Sequence, residues 1–169
     1  MPIIEPIFQA LNDAKIRYVV VGGLATVLHG HARLTVDIDL MVDLASDHAR
    51  RIVDVLTNLG LQPHIPMEAG DFADATVRNH WKQEKNMQVF SMSDPKNPMR
   101  IVDLFIHHPI PFEELWTRAA LVPLASTTVR VASLPDLIHL KRLAGRPQDL
   151  ADIEKLEHIR QLREGKDDG

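Results

Sequence analysis

The sequence predicts a mixed α+β fold: a small mixed β-sheet flanked by helices, with a C-terminal helical pair. Three observations carry that expectation. Tyr18-Val19-Val20-Val21 is a β-branched run stopped by Gly22-Gly23 and followed at once by the helix-compatible Leu24-Ala25-Thr26-Val27-Leu28. Thr35 to Val42 alternates at period two, so Asp37, Asp39 and Met41 share one face of a strand and Ile38, Leu40 and Val42 the other. Ser133-Leu134-Pro135-Asp136 pairs a serine N-cap with an acid three residues on, opening a helix that closes at Gly145; a last helix follows from about Pro147 to Glu164.

The remaining elements follow in chain order. Ile3, Ile4, Ile7, Phe8 and Leu11 recur at helical spacing, with Pro6 early enough to be tolerated in a first turn. Asp47 is expected to cap a helix whose apolar positions Ile52, Val53, Val55, Leu56 and Leu59 precede a Gly60 stop. From about Leu61 to Asn97 apolar residues are sparse, and short strands are expected near Phe72–Val77 and Met87–Met92. Arg100 to Ile106 reads as a strand that is apolar on both faces except for Asp103. Phe112–Ala119 reads as a helix and Thr128–Val131 as a strand. Residues 1–132 therefore form the expected core and 133–169 a helical segment packed on it, ending in a polar, frayed tail.

Composition narrows the function classes. With 169 residues, 45% hydrophobic and 25% charged, the chain can bury one ordinary core. Nineteen Lys and Arg against 23 Asp and Glu leave a net charge of −4, which argues against a broad basic nucleic-acid surface. The absence of cysteine excludes disulfides, thiolate zinc sites and a cysteine nucleophile, and fits a cytoplasmic protein. No apolar run approaches the ~18 residues of a membrane span, and the first residues lack the basic start of a secretory signal.

The chemistry concentrates in carboxylates and glycines. Asp37 and Asp39 project from one strand face with Cα atoms about 6 to 7 Å apart. Asp103, among apolar neighbours, needs a cation or a proton to be buried. Three such groups converging from two strands offer hard oxygen ligands for Mg²⁺ or Mn²⁺; two ions ~3.5–4 Å apart are the device of phosphoryl and nucleotidyl transfer. The bland alternative is that Asp37 caps a turn while Asp39 and Asp103 pair with Arg33 or Arg100. Gly22-Gly23 permits a sharp turn that presents backbone N–H groups to a phosphate, but matches neither the dinucleotide fingerprint nor the P-loop. Nine histidines, including His29-x-His31 and His107-His108, lack zinc-ligand spacing, with His29 and His31 left as candidates to line the cleft. Trp81 and Trp116 read as packing residues.

These residues together resemble a known family. Val21-Gly22-Gly23 followed by Asp37-Ile38-Asp39-Leu40, with Val102-Asp103-Leu104 downstream, is similar to the signature of the nucleotidyltransferase superfamily that includes polymerase β-like, MNT-type and antibiotic-modifying enzymes. Gly30, Arg33, Thr35, Asp37 and Asp39, together with the spacing of Lys141, Arg146, Asp149 and Asp152, most resemble the branch of AbiEii-type toxins and their relatives. The resemblance spans residues 18–156 except the segment 61–97, where it implies acceptor specificity. It implies Mg²⁺- or Mn²⁺-dependent transfer of a nucleoside monophosphate from NTP to a hydroxyl of RNA, protein or a small molecule, with tRNA ends admissible. Asp37, Asp39 and Asp103 would hold two ions, with Asp103 helping to deprotonate the acceptor. Gly22, Gly23, Arg33, Thr35, Lys141 and Arg146 would hold the triphosphate, and Asp149 would orient Lys141 or Arg146. The alternative is a toxin–antitoxin component or regulator on the same fold with a cognate protein partner. For Lys141 to Asp152 taken alone, a solvated helix face is the ordinary reading.

Overall fold

The computed structural model describes residues 3–64 and 67–167, the side chain of Asp167 excepted. Its elements in order are α1 (Glu5–Asp13), β1 (Tyr18–Val21), α2 (Gly22–Leu28), β2 (Asp37–Val42), α3 (Ser46–Asn58) and β3 (Gln62–Pro63). A 3₁₀ turn at Ala69–Ala73 leads into α4 (Ala75–Lys85), β4 (Val89–Asp94), β5 (Asn97–Phe105), α5 (Phe112–Arg118), β6 (Ala120–Pro123), β7 (Thr128–Val131), α6 (Leu134–Ala144) and α7 (Pro147–Asp167). The seven strands form one mixed sheet in the order β3-β4-β5-β2-β1-β7-β6. The expected mixed α+β architecture, including the C-terminal helices, is the observed one.

The central strands explain the order. β1 is buried throughout, as its unbroken valines require, and lies between β2 and β7. β2 pairs antiparallel with β1 and parallel with β5, so its apolar face, Ile38, Leu40 and Val42, is buried. Met41, on the face that carries Asp37 and Asp39, is also buried, at 1% exposure. The carboxylate face is therefore open only at the strand's beginning. β7 adds to β1 in parallel and aligns Val20 with Val131, which brings the C-terminal helices that follow it next to α2.

Several local expectations are corrected. Residues 72–77 are not a strand: Phe72 and Ala73 close a 3₁₀ turn, and Asp74 caps α4 by accepting hydrogen bonds from the amides of Thr76 and Val77. α4 is amphipathic with few apolar positions; Trp81 and the aliphatic stem of Arg78 anchor it, the Arg78 guanidinium donating to the carbonyls of Phe72 and Leu44. Asp47 does not cap α3, which starts one residue earlier, at Ser46; Asp43 instead bonds the Ala45 amide ahead of it. Ser133 does cap α6, but the Asp136 carboxylate turns away to a bidentate pair with Arg118, at 2.9 and 3.0 Å. The tail after Glu164 stays helical to Asp167, and residues 168–169 lie outside the described residues.

The middle segment is held by aromatic packing. Phe90 of β4 is fully buried and stacks on Trp81 at 5.4 Å and on Phe72 at 5.6 Å between ring centroids. Phe90→Ala is expected to lower unfolding free energy by about 3–5 kcal/mol, measured by denaturant titration. A loss under 1 kcal/mol would show that the segment does not depend on this stack.

Candidate active site

The register of the sheet assembles the acidic residues. Val21 is paired with Asp39, Asp39 with Asp103, and Asp103 with Ser91, so one row across four strands reads valine, aspartate, aspartate, serine. Asp103 Oδ1 accepts a hydrogen bond from the Ser91 hydroxyl at 2.5 Å. Asp37 lies two residues earlier on the face of Asp39, opposite Ile101. Neither Arg33 nor Arg100 neutralises this set: Arg33 pairs with Asp152 and Arg100 with Asp94.

Charge crowding is visible in the proton affinities. Burial first, then the Asp103 and Asp37 charges, push the Asp39 carboxyl up to about 7, and it donates its proton to Asp103. Asp103 is also raised, by burial and by Asp37, against the opposing Ser91 hydrogen bond. Burial and like charge thus make both adjacent carboxyls harder to ionise than a free one. Among the described residues no three carboxylate or imidazole groups already enclose one ion-sized point. Such closure without a cation would place three like charges together. The hard oxygen donors and the unmet demand for positive charge nevertheless suit Mg²⁺ or Mn²⁺.

The glycine pair is shaped by these neighbours. Gly22 follows Val21 at the register of Asp39, with φ of +69°, and a Cβ there would stand 2.0 Å from Asp39 Oδ2. Both backbone conformation and space therefore demand glycine. A Cβ on Gly23 would fall 2.6 Å from Thr35 Oγ1 and 2.9 Å from Arg33 Nη2. No side chain caps the N-terminus of α2.

Beside this turn opens a cleft of about 490 Å³ lined by Gly23, Arg33, Thr35, Asp37, Asp39, Lys141, Arg146 and Asp149, together with Leu34, Val36 and Gln148. The tertiary structure thus gathers most of the residues the sequence singled out, with Gly22 and Asp103 directly against Asp39. Lys141, Asp149 and Asp152 are not a solvated helix face: they are 4%, 3% and 0% exposed. Asp149 takes Arg146 through its Nε at 2.7 Å and lies 3.7 Å from the Lys141 ammonium. Burial opposes ionisation of Asp149, yet the Arg146 hydrogen bonds and the nearby cations hold its carboxyl below the usual range.

The histidines go elsewhere. His29 is buried, bonding the Ala132 carbonyl at 2.7 Å and meeting Arg163, and His31 sits 3.9 Å from Asp152; neither lines the cleft. His107 and His108 bond Gln88 and the Val42 carbonyl. Ser91, Gln148 and the apolar pair Leu34 and Val36 were missed by sequence reasoning. For Ser91 the only available signal was the alternation Phe90-Ser91-Met92-Ser93, which puts two serines on one face.

The family described as nucleotidyltransferase of unknown function, DUF6036, matches residues 3–163. No curated protein matches the chain significantly in sequence. Among solved structures, the lincosamide antibiotic adenylyltransferase LnuA, bound to lincomycin, superposes with a TM-score of 0.61 at 15% identity, covering 94% of this chain and 97% of its own. ANT(2″)-Ia in complex with adenylyl-2″-tobramycin gives 0.57 at 14% identity, covering 98% and 97%. An antigenic nucleotidyltransferase-like protein from Paracoccidioides brasiliensis gives 0.59 at 15%, covering 95% and 75%. At these identities the likeness is one of fold.

The raised carboxyls make a pH signature. An acid whose folded pKa exceeds its unfolded one binds more protons when folded, so stability falls as pH rises from about 4 to about 7. Asp39→Asn is expected to weaken this dependence, with Asp103 still raised by burial and by Asp37. The cation-free variant is expected to melt above wild type at pH 8, by at most about 4 kcal/mol, with the difference vanishing near pH 4; thermal melts of both proteins across that range measure it.

Proposed function

Because this chain belongs to the DUF6036 family of nucleotidyltransferases, we propose that it transfers a nucleoside monophosphate from NTP to a hydroxyl acceptor with release of pyrophosphate. The observation that carries the reading is the row joining the Gly22 turn to Asp39 and Asp103, beside a cleft that Asp37 and Asp39 line together with Lys141 and Arg146. The carboxylates suit divalent cations and the basic residues the triphosphate.

Asp37, Asp39 and Asp103 are the residues that would hold Mg²⁺ or Mn²⁺, two ions per site. Bound there, the ions offset the triphosphate charge and favour the ionised acceptor hydroxyl. Backbone amides at Gly22 and Gly23 bind phosphate oxygens, with Arg33, Thr35, Lys141 and Arg146 supplying charge-assisted and hydroxyl contacts. Asp149 orients Arg146. The acceptor oxygen attacks the α-phosphorus and forms the new P–O bond; the bond to the bridging oxygen breaks, and pyrophosphate carries away that electron pair. The hydroxyl proton passes to Asp103, aimed by Ser91.

A small-molecule hydroxyl acceptor is the more economical choice, since the chain carries a net charge of −4 and its structural neighbours include antibiotic adenylyltransferases. The rival is a toxin–antitoxin role with a cognate protein partner, favoured by the AbiEii-like spacing of Lys141, Arg146, Asp149 and Asp152. Its signature would be a macromolecular acceptor.

Incubation with each of the four labelled NTPs, Mg²⁺ and cell extract is expected to label one acceptor and release pyrophosphate. Asp37→Ala or Asp39→Ala is expected to reduce that release by at least about 10²–10³-fold with the fold retained by circular dichroism. Absence of NTP binding in calorimetry with Mg²⁺ present would refute the reading.

A further inference from the structure

Asp152 has no part in the chemistry above, yet it is the most completely enclosed charged group among the described residues, at 0% exposure. Its Oδ2 accepts from Lys141 Nζ at 2.9 Å and from Arg33 Nη2 at 3.0 Å, and its Oδ1 accepts from Gln148 Nε2 at 3.0 Å. One oxygen atom of α7 therefore holds a cation from α6 and a cation from the loop between α2 and β2. The two cations are 108 positions apart in sequence (141 − 33) and both line the cleft.

The held geometry is specific. The Arg33 Nη2 that reaches Asp152 is the same atom that would crowd a Cβ on Gly23, while Nη1 donates to the Leu34 carbonyl at 3.0 Å. The guanidinium is thus fixed between Asp152 and the glycine turn. Burial of one anion with two cations adds little net stability, because desolvation consumes most of the attraction. What it secures is position: without the carboxylate, Arg33 and Lys141 would repel each other across a poorly solvated gap.

We propose that Asp152 is a positioning residue that holds Arg33 and Lys141 as a preformed cation pair for the β- and γ-phosphates of the nucleotide, making α7 part of the triphosphate site. This rests on the nucleotidyltransferase reading. The opposite sign is expected if only charge matters, since removing a carboxylate raises the local positive potential and would tighten the binding of any anion.

The test is calorimetric affinity for the four nucleoside triphosphates and their monophosphates, each with Mg²⁺, well below the melting temperature. Wild type is expected to prefer the triphosphate. Asp152→Asn is expected to reduce that preference about tenfold or more, the scale of a lost charged hydrogen bond, with monophosphate binding nearly unchanged. Asp152→Asn leaves the buried Lys141 with Asp149 alone, 3.7 Å away, and takes the carboxylate from the half-buried Arg33; because it can fail to fold, Lys141→Met and Lys141→Met/Asp152→Asn form a second comparison. The double variant removes one charge of each sign and is expected to lose further triphosphate preference through Arg33 alone. A preference that is unchanged or increased in both comparisons overturns the positioning role while leaving the functional reading intact. Wild-type protein that binds no triphosphate overturns the functional reading itself, and this inference with it.

Discussion

The parallel pairing of β2 with β5 is the constraint on which the site depends. It puts Asp39 opposite Asp103, and the antiparallel neighbours on either side then bring Val21 and Ser91 to the same row. Gly22 follows from that register: its Cα stands so close to the Asp39 carboxylate that no side chain fits. A shift by one residue would turn both carboxylates to the face where Ile38 and Leu40 are buried. The apolar alternation of β2 therefore protects the register that the acidic site needs.

Charge is arranged in two groups. On the sheet, burial and the Asp37 charge raise the Asp39 and Asp103 carboxyls, with the Arg146 charge acting the other way on Asp39. On the helices, Lys141 and Arg146 are held by Asp149 and Asp152, whose carboxylates stay ionised despite burial because the cations beside them outweigh desolvation. Each carboxylate set behaves according to what faces it. The sheet set has an unmet demand for cations, and the helix set spends its charge on placing cations.

Much of the fold was legible because local signals agreed with tertiary packing. The unbroken valines of β1 are buried on both faces, and Ser133 caps α6 as its position suggested. The stretch from residue 61 to 97 was misread where one side chain decides the structure. Asp74 turns Phe72–Val77 from an apparent strand into a 3₁₀ turn and a capped helix, and only Trp81 and Arg78 bury that helix. Asp47 looked like a cap, but Asp43 takes the turn before α3 from a position that no capping pattern marks. His29 and His108, conspicuous in sequence, bond backbone carbonyls, and burial lowers the proton affinity of both.

The sequence by itself determined which residues carry charge, where strands alternate and where glycines permit the chain to turn. These properties follow from backbone periodicity and the steric freedom of single residues. Tertiary structure alone decided that Asp103 lies beside Asp39, 64 positions away, that Ser91 aims it, and that Lys141 and Arg33 meet at Asp152. Strand order and helix docking bring those groups together, and they are chosen by the summed burial of apolar surface across the whole chain, which no short window contains. Lys141 and Asp152 show the difference most sharply: at helical spacing they resemble a solvent-facing ion pair, and only the docking of α6 against α7 and the Arg33 loop makes them a buried device.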